Sequence, residues 1–102
     1  MNIIICDDRI DDRKNLSDLL SDYGEKKNYE FAITAYESGE QLCEEQSALE
    51  ACQLLFLDIN MQGMDGLKTA MRIKEKYPKL LVVLVTAYMN YAPVSYTHLR
   101  AH

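Results

Sequence analysis

A chain of 102 residues, 48% hydrophobic and 26% charged, has room for one domain and the balance of a globular protein, not of a disordered or fibrous one. Sixteen acidic against eleven basic residues leave a net charge of −5, which argues against this segment gripping a nucleic-acid backbone by itself. No stretch approaches the roughly 20 apolar residues that span a bilayer. The N-terminus enters an apolar run and an acidic pair at once, without the basic start of a signal peptide. The three cysteines, Cys6, Cys43 and Cys52, form no CxxC, so reduced thiols and a cytoplasmic location are expected.

Asn2 to Cys6 (NIIIC) is a β-branched run that predicts a strand, and Asp7-Asp8 follow it. From Ile10 onward Leu16, Leu19, Leu20 and Tyr23 recur at helical spacing, and Gly24 is expected to stop that helix. Tyr29 to Tyr36 (YEFAITAY) alternates with period two, as a half-buried edge strand does. Ser38 with Gln41 three residues later matches a capping box, opening a helix that carries Leu42, Cys43 and Leu49. Leu54 to Asp58 (LLFLD) is a continuous apolar run ending in an acid. Beyond the loop NMQGMDG, Asp65 can N-cap a helix bearing Leu67, Ala70, Met71 and Tyr77, closed by Pro78. Leu80 to Thr86 (LLVVLVT) is the most hydrophobic segment, and Ala87 to Ala92 reads as the start of another helix. The alternation predicts an α/β domain: a doubly wound parallel sheet whose two uninterrupted apolar runs are central strands.

Val94 to His102 (VSYTHLRAH) does not continue the pattern, and both histidines of the chain fall in it. The stretch resembles the translation of a transposase sequencing adapter. The chain therefore reads as a domain over residues 1–92 and a non-native tail over 93–102.

In open parallel sheets the functional crevice lies beyond the C-terminal ends of the strands. Asp7-Asp8, Asp58 and Thr86 each stand at such an end, and in the common order 2-1-3-4 they meet at one mouth. Clustered carboxylates repel unless a cation joins them. Hard oxygen ligands with open positions point to Mg²⁺. An aspartate beside such an ion can attack phosphorus, with the Thr86 hydroxyl available as a donor.

IIICDD, LLFLDINMQGMDG and LLVVLVTAY, with their spacing, resemble the receiver domain of two-component response regulators across residues 1 to about 92. The resemblance implies a flavodoxin-like fold lacking its fifth strand and helix here. It implies Asp58 as phosphoacceptor from a sensor histidine kinase, Asp8 binding Mg²⁺ directly and Asp7 largely through water. Asn60 would lend its backbone carbonyl to the metal. Thr86 would be the switch hydroxyl and the Ala87 backbone N–H a further donor. Gly66 matches the turn that lets the next helix start close to the site. On this reading the chain is no enzyme beyond self-phosphorylation and autohydrolysis.

The run TAYMNYA further resembles receivers joined to LytTR-type DNA-binding domains. DNA would then be contacted only through an output domain absent here, no membrane is involved, and a homodimer is open to the intact protein. The family's lysine on a fifth strand has no counterpart, so impaired switching and an exposed edge at the fourth strand are expected. Two alternatives stay open. LFLDIN also suits an aspartyl-nucleophile phosphatase of the haloacid-dehalogenase type, although that family needs an acid where Asn60 stands. The other is a receiver-like interaction domain without phosphotransfer.

Overall fold

The computed structural model describes residues 1–61, 66–86 and 95–99, and for residues 86 and 95–99 the backbone alone. The elements are β1 (Asn2–Cys6), α1 (Ile10–Lys27), β2 (Ala32–Tyr36), α2 (Gly39–Glu44), α3 (Gln46–Glu50), β3 (Leu54–Asp58), α4 (Gly66–Lys76), β4 (Leu81–Thr86) and β5 (Ser95–Leu99). They form one sheet in the order β2-β1-β3-β4-β5. The first four strands are parallel, as the alternation of strands and helices requires. From β1 the chain steps to one side to form β2, then returns past β1 to form β3. The β1–β3 boundary is thus the topological switch point of the sheet.

Period-two alternation divides the strand residues between the two faces. Ile4, Cys6, Leu55, Leu57, Val82 and Leu84 pack into one core with Leu42 of α2, Leu49 of α3 and Ala70 and Ile73 of α4. Ile3, Ile5 and Val83 are buried on the other face, where α1 packs on β1. That second face is less covered: Leu54 and Phe56 are only half-buried, and so are Leu16 and Leu20 of α1.

Several sequence expectations are corrected. Gly24 does not stop α1, which runs to Lys27 and ends on Asn28 in the left-handed region, at φ 61°. Gly24 instead permits a close approach, because a Cβ there would stand 3.0 Å from the Phe31 ring. Leu19 and Tyr23 are exposed, and Tyr23 stacks against Tyr29 at 6.1 Å between ring centroids. The strand expected from Tyr29 begins at Ala32. Ser38 does cap α2, its Oγ accepting from the Gln41 N–H at 3.0 Å, but the helix breaks at Glu45 and resumes as α3. In α4 the buried stripe is Gly66, Thr69, Ala70 and Ile73, with Leu67 and Met71 exposed.

The largest departure is at the end of the chain. β4 is not an exposed edge, because Ser95–Leu99 lies antiparallel along it, from Val82↔Leu99 to Thr86↔Ser95. A strand edge pairs through its row of backbone N–H and C=O groups, so this pairing needs no hydrophobic alternation in Ser95–Leu99. Asp65 and the helix expected over residues 87–92 lie outside the described residues.

Candidate functional site

The register of β1 with β3 sets the site. Cys6 pairs with Leu57, so the next residue of each strand, Asp7 and Asp58, stand side by side where the strands end. The link from β1 to α1 is only three residues long, and it places Asp8 at the same mouth. Among the described residues, Asp7, Asp8 and Asp58 each offer a carboxylate oxygen within 4.8 Å of the others. Asp7 and Asp58 are buried and Asp8 is half-buried. The three acids expected to converge do so, at the switch point of the sheet.

Main-chain donors hold two of the carboxylates. The Arg9 N–H donates to Asp7 Oδ1 at 2.9 Å, and the Asn60 N–H donates to Asp58 Oδ1 at 3.0 Å. The Asp7 N–H donates to the Tyr36 carbonyl at 3.1 Å, and Arg13 Nη1 donates to the Asp7 carbonyl at 2.8 Å. Beneath the acids lies a sulfur floor, with Cys6 Sγ 3.6 Å from Met61 Sδ. Burial pushes the Cys6 thiol up to about 12, so it is no nucleophile at neutral pH.

The electrostatics are those of crowded acids. Burial raises the Asp7 carboxyl to about 6; the Arg9 N–H opposes the rise, and Asp58, Asp12 and Asp8 add to it. Asp58 is raised as well, first by burial and then by Asp8 and Asp12, against the lowering bonds from Asn60 and from the Asp7 carboxyl. Three converging carboxylates at a rim open to solvent are a hard, anionic donor set, and such a set is suited to a divalent cation with oxygen preference.

α4 starts against this cluster because residue 66 is glycine. A Cβ at Gly66 would collide with the carbonyl of Asp58 and the Cα of Ile59, while the Gly66 N–H donates to the Ile59 carbonyl at 3.3 Å. Thr86 ends β4 one position past Val85, the register partner of Asp58, and so arrives at the same rim. Ala87 lies outside the described residues. The structure brings in Asn60 through its N–H. Arg9, Arg13 and Asp12 were not singled out in the sequence. For Arg13 a signal was available, since it lies one helical turn beyond Arg9 and can reach back to the strand end. A cavity of about 530 Å³ lined by Leu49, Cys52, Tyr77 and Leu80 lies at the opposite, N-terminal ends of the strands, away from the acids.

A doubly wound parallel sheet with an acid triad at its switch point places a hard oxygen donor set where sheets of this kind bind their ligands. Residues 3–98 match the response regulator receiver domain family, and the chain belongs to that family. It is 36% identical over 59 residues to the DNA-binding transcriptional regulator NtrC of Klebsiella pneumoniae, covering 58% of this chain and 12% of that protein. It is 49% identical over 41 residues to the response regulator protein FleR of Pseudomonas aeruginosa, covering 40% of this chain and 9% of the relative. The chain thus spans a small part of the curated relatives it matches. Among solved structures, the response regulator TrrA of Thermotoga maritima in complex with Mg²⁺-BeF superposes with a TM-score of 0.72 at 29% identity. That match covers 88% of this chain and 72% of the other. The N-terminal domain of a response regulator/sensory box/GGDEF three-domain protein from Carboxydothermus hydrogenoformans gives 0.73 at 29% identity, over 93% and 71% of the two chains. Membership of this family favours the receiver reading of LFLDIN over the haloacid-dehalogenase one. No helix among the described residues is long and apolar enough to cross a membrane.

Proposed function

We propose that Asp58 accepts a phosphoryl group from the phosphohistidine of a sensor histidine kinase in a Mg²⁺-dependent reaction. The observation that carries this reading is the convergence of Asp7, Asp8 and Asp58 within 4.8 Å at the end of β3. The donor set fits the ion, with Asp7, Asp8, Asp58 and the Asn60 carbonyl as the residues to hold it. When bound, Mg²⁺ neutralises the carboxylates and the charge of the incoming phosphoryl oxygens. The Asn60 N–H on Oδ1 fixes the Asp58 rotamer and leaves Oδ2 to attack phosphorus. The new O–P bond gives an acyl phosphate, and the breaking P–N bond returns its electron pair to the imidazole of the kinase. Thr86 and the Ala87 N–H are the donors that read the added charge and pass it to the β4 side of the domain. The chain then serves as a switch with autohydrolysis, not as a turnover enzyme.

The relative NtrC, a DNA-binding transcriptional regulator, supports an output in transcription. The TAYMNYA run favours a LytTR-type output domain, and residues 93–102 are read as a non-native addition that takes the place of the family's fifth strand. Sequencing the source gene past codon 93 tests that boundary. The phosphoacceptor is tested by incubating the chain with Mg²⁺ and acetyl phosphate and weighing the intact product. Wild type is expected to gain one base-labile phosphoryl group only with Mg²⁺, and Asp58→Asn none. Uptake by Asp58→Asn, or repeated turnover of phosphomonoesters, would sink the reading.

A further inference from the structure

The link from β1 to α1 must solve a geometric problem. Successive residues of an extended strand point to opposite faces, yet Asp7 and Asp8 both reach within 4.8 Å of the Asp58 carboxylate. The Asp7–Asp8 peptide therefore has to turn away from strand geometry and be held there. The N-cap of α1 does not hold it, since Arg9 makes no side-chain capping bond. Three bonds converge on Asp7 instead. Its N–H donates to the Tyr36 carbonyl, its Oδ1 accepts the Arg9 N–H, and its carbonyl accepts Arg13 Nη1 at 2.8 Å. The third is made by a side chain on the second turn of α1, reaching back to the end of β1. The Asp7 carbonyl belongs to the peptide plane between the two acids, so fixing it fixes the directions in which both carboxylates leave the backbone. Arg13 is half-buried, and its own N–H closes the first turn of α1 on the Arg9 carbonyl at 3.0 Å. Its base is therefore rigid.

We infer that Arg13 is a positioning residue for the divalent-ion site: its guanidinium locks the Asp7–Asp8 peptide so that both carboxylates face Asp58. This inference rests on the Mg²⁺ reading of the triad. Groups that orient ligands from behind commonly carry about tenfold in metal affinity.

The test is a Mg²⁺ titration of the full chain, followed by the amide NMR signals of Asp8 and Asn60, with no phosphoryl donor present. Arg13→Met and the polar but shorter Arg13→Gln are each expected to raise the Mg²⁺ dissociation constant about tenfold. Arg13→Lys, whose Nζ can still donate to the carbonyl, is expected to stay within about threefold of wild type. Lys14→Met removes the same charge from the neighbouring exposed position and is expected to leave the affinity unchanged. Unaltered Mg²⁺ affinity in Arg13→Met overturns the proposal, and so does an equal loss in Lys14→Met, which would make the effect one of bulk charge. Loss of a cooperative melt in both Arg13→Met and Arg13→Gln also overturns it, since Arg13 would then hold the fold and not the site. A wild-type chain that binds no Mg²⁺ refutes the proposed function itself, a result distinct from these.

Discussion

Neutralising Asp7 is expected to stabilise the metal-free protein while abolishing its response to Mg²⁺. Burial and the neighbouring acids raise the Asp7 carboxyl from an ordinary 3.8 to about 6, so the folded chain binds a proton there more tightly than the unfolded chain does. Between those two values the native state carries more protons than the unfolded state, and stability falls as pH rises through the window. At about 1.4 kcal/mol per pH unit, the displacement amounts to about 2–3 kcal/mol. Asp7→Asn keeps an oxygen to accept the Arg9 N–H and removes the charge. For a domain of this size about 2–3 kcal/mol is on the order of 10 °C in Tm. Thermal melts in chelator, from pH 4.5 to 7.5, measure it. Wild type is expected to lose stability up to about pH 7 and to regain it with Mg²⁺; Asp7→Asn is expected to melt higher at pH 7 and to ignore the ion. A wild-type Tm that is flat across this range, or an Asp7→Asn variant that melts lower at pH 7, refutes the reasoning.

Three further outcomes follow from the packing. Leu55→Ala, at a side chain wholly buried between β3 and the α2–α4 layer, is expected to cost about 2–5 kcal/mol in denaturant unfolding. Gly66→Ala forces α4 off the end of β3 and is expected to cost about 1–3 kcal/mol while slowing acetyl-phosphate uptake. The paired substitution Tyr96→Pro with Thr97→Pro removes one β4-facing N–H whichever residue supplies it. By freeing the β4 edge, it is expected to produce concentration-dependent self-association in sedimentation.

The parts of this molecule that could be read from its sequence are those decided by burial. Residues 3–6, 54–57 and 81–85 are uninterrupted apolar runs because strands of a parallel sheet have helices over both faces, and Asp7, Asp8 and Asp58 mark where two of those runs end. Asp7, Asp8 and Asp58 were legible for that reason. What stayed hidden was decided by neighbours distant in sequence. Gly24 signals a helix end locally, but the Phe31 ring packed over it makes it an interior residue. The break at Glu45 leaves Ser38, Gln41, Leu42 and Leu49 as well placed as an unbroken helix does, so the pattern carried no trace of it. The Asn60 N–H is a main-chain donor, which every residue possesses and no residue type advertises, and the role of the Arg13 guanidinium shows only once the fold brings it back to the Asp7 carbonyl.

The antiparallel seat of β5 has a practical consequence for anyone who joins another protein to this one. Thr86 and Ser95 are paired at the acid-bearing rim, and the strand after Ser95 then descends along β4 toward the far rim. A tether carrying cargo and fused after β4 in place of Ser95–Leu99 is offered that backbone edge. An extended, proline-free tether will be zipped on as a fifth strand, shortening its reach and drawing the cargo toward the rim remote from the acids. A tether with proline at alternate positions stays free, and the cargo keeps the reach that its length allows.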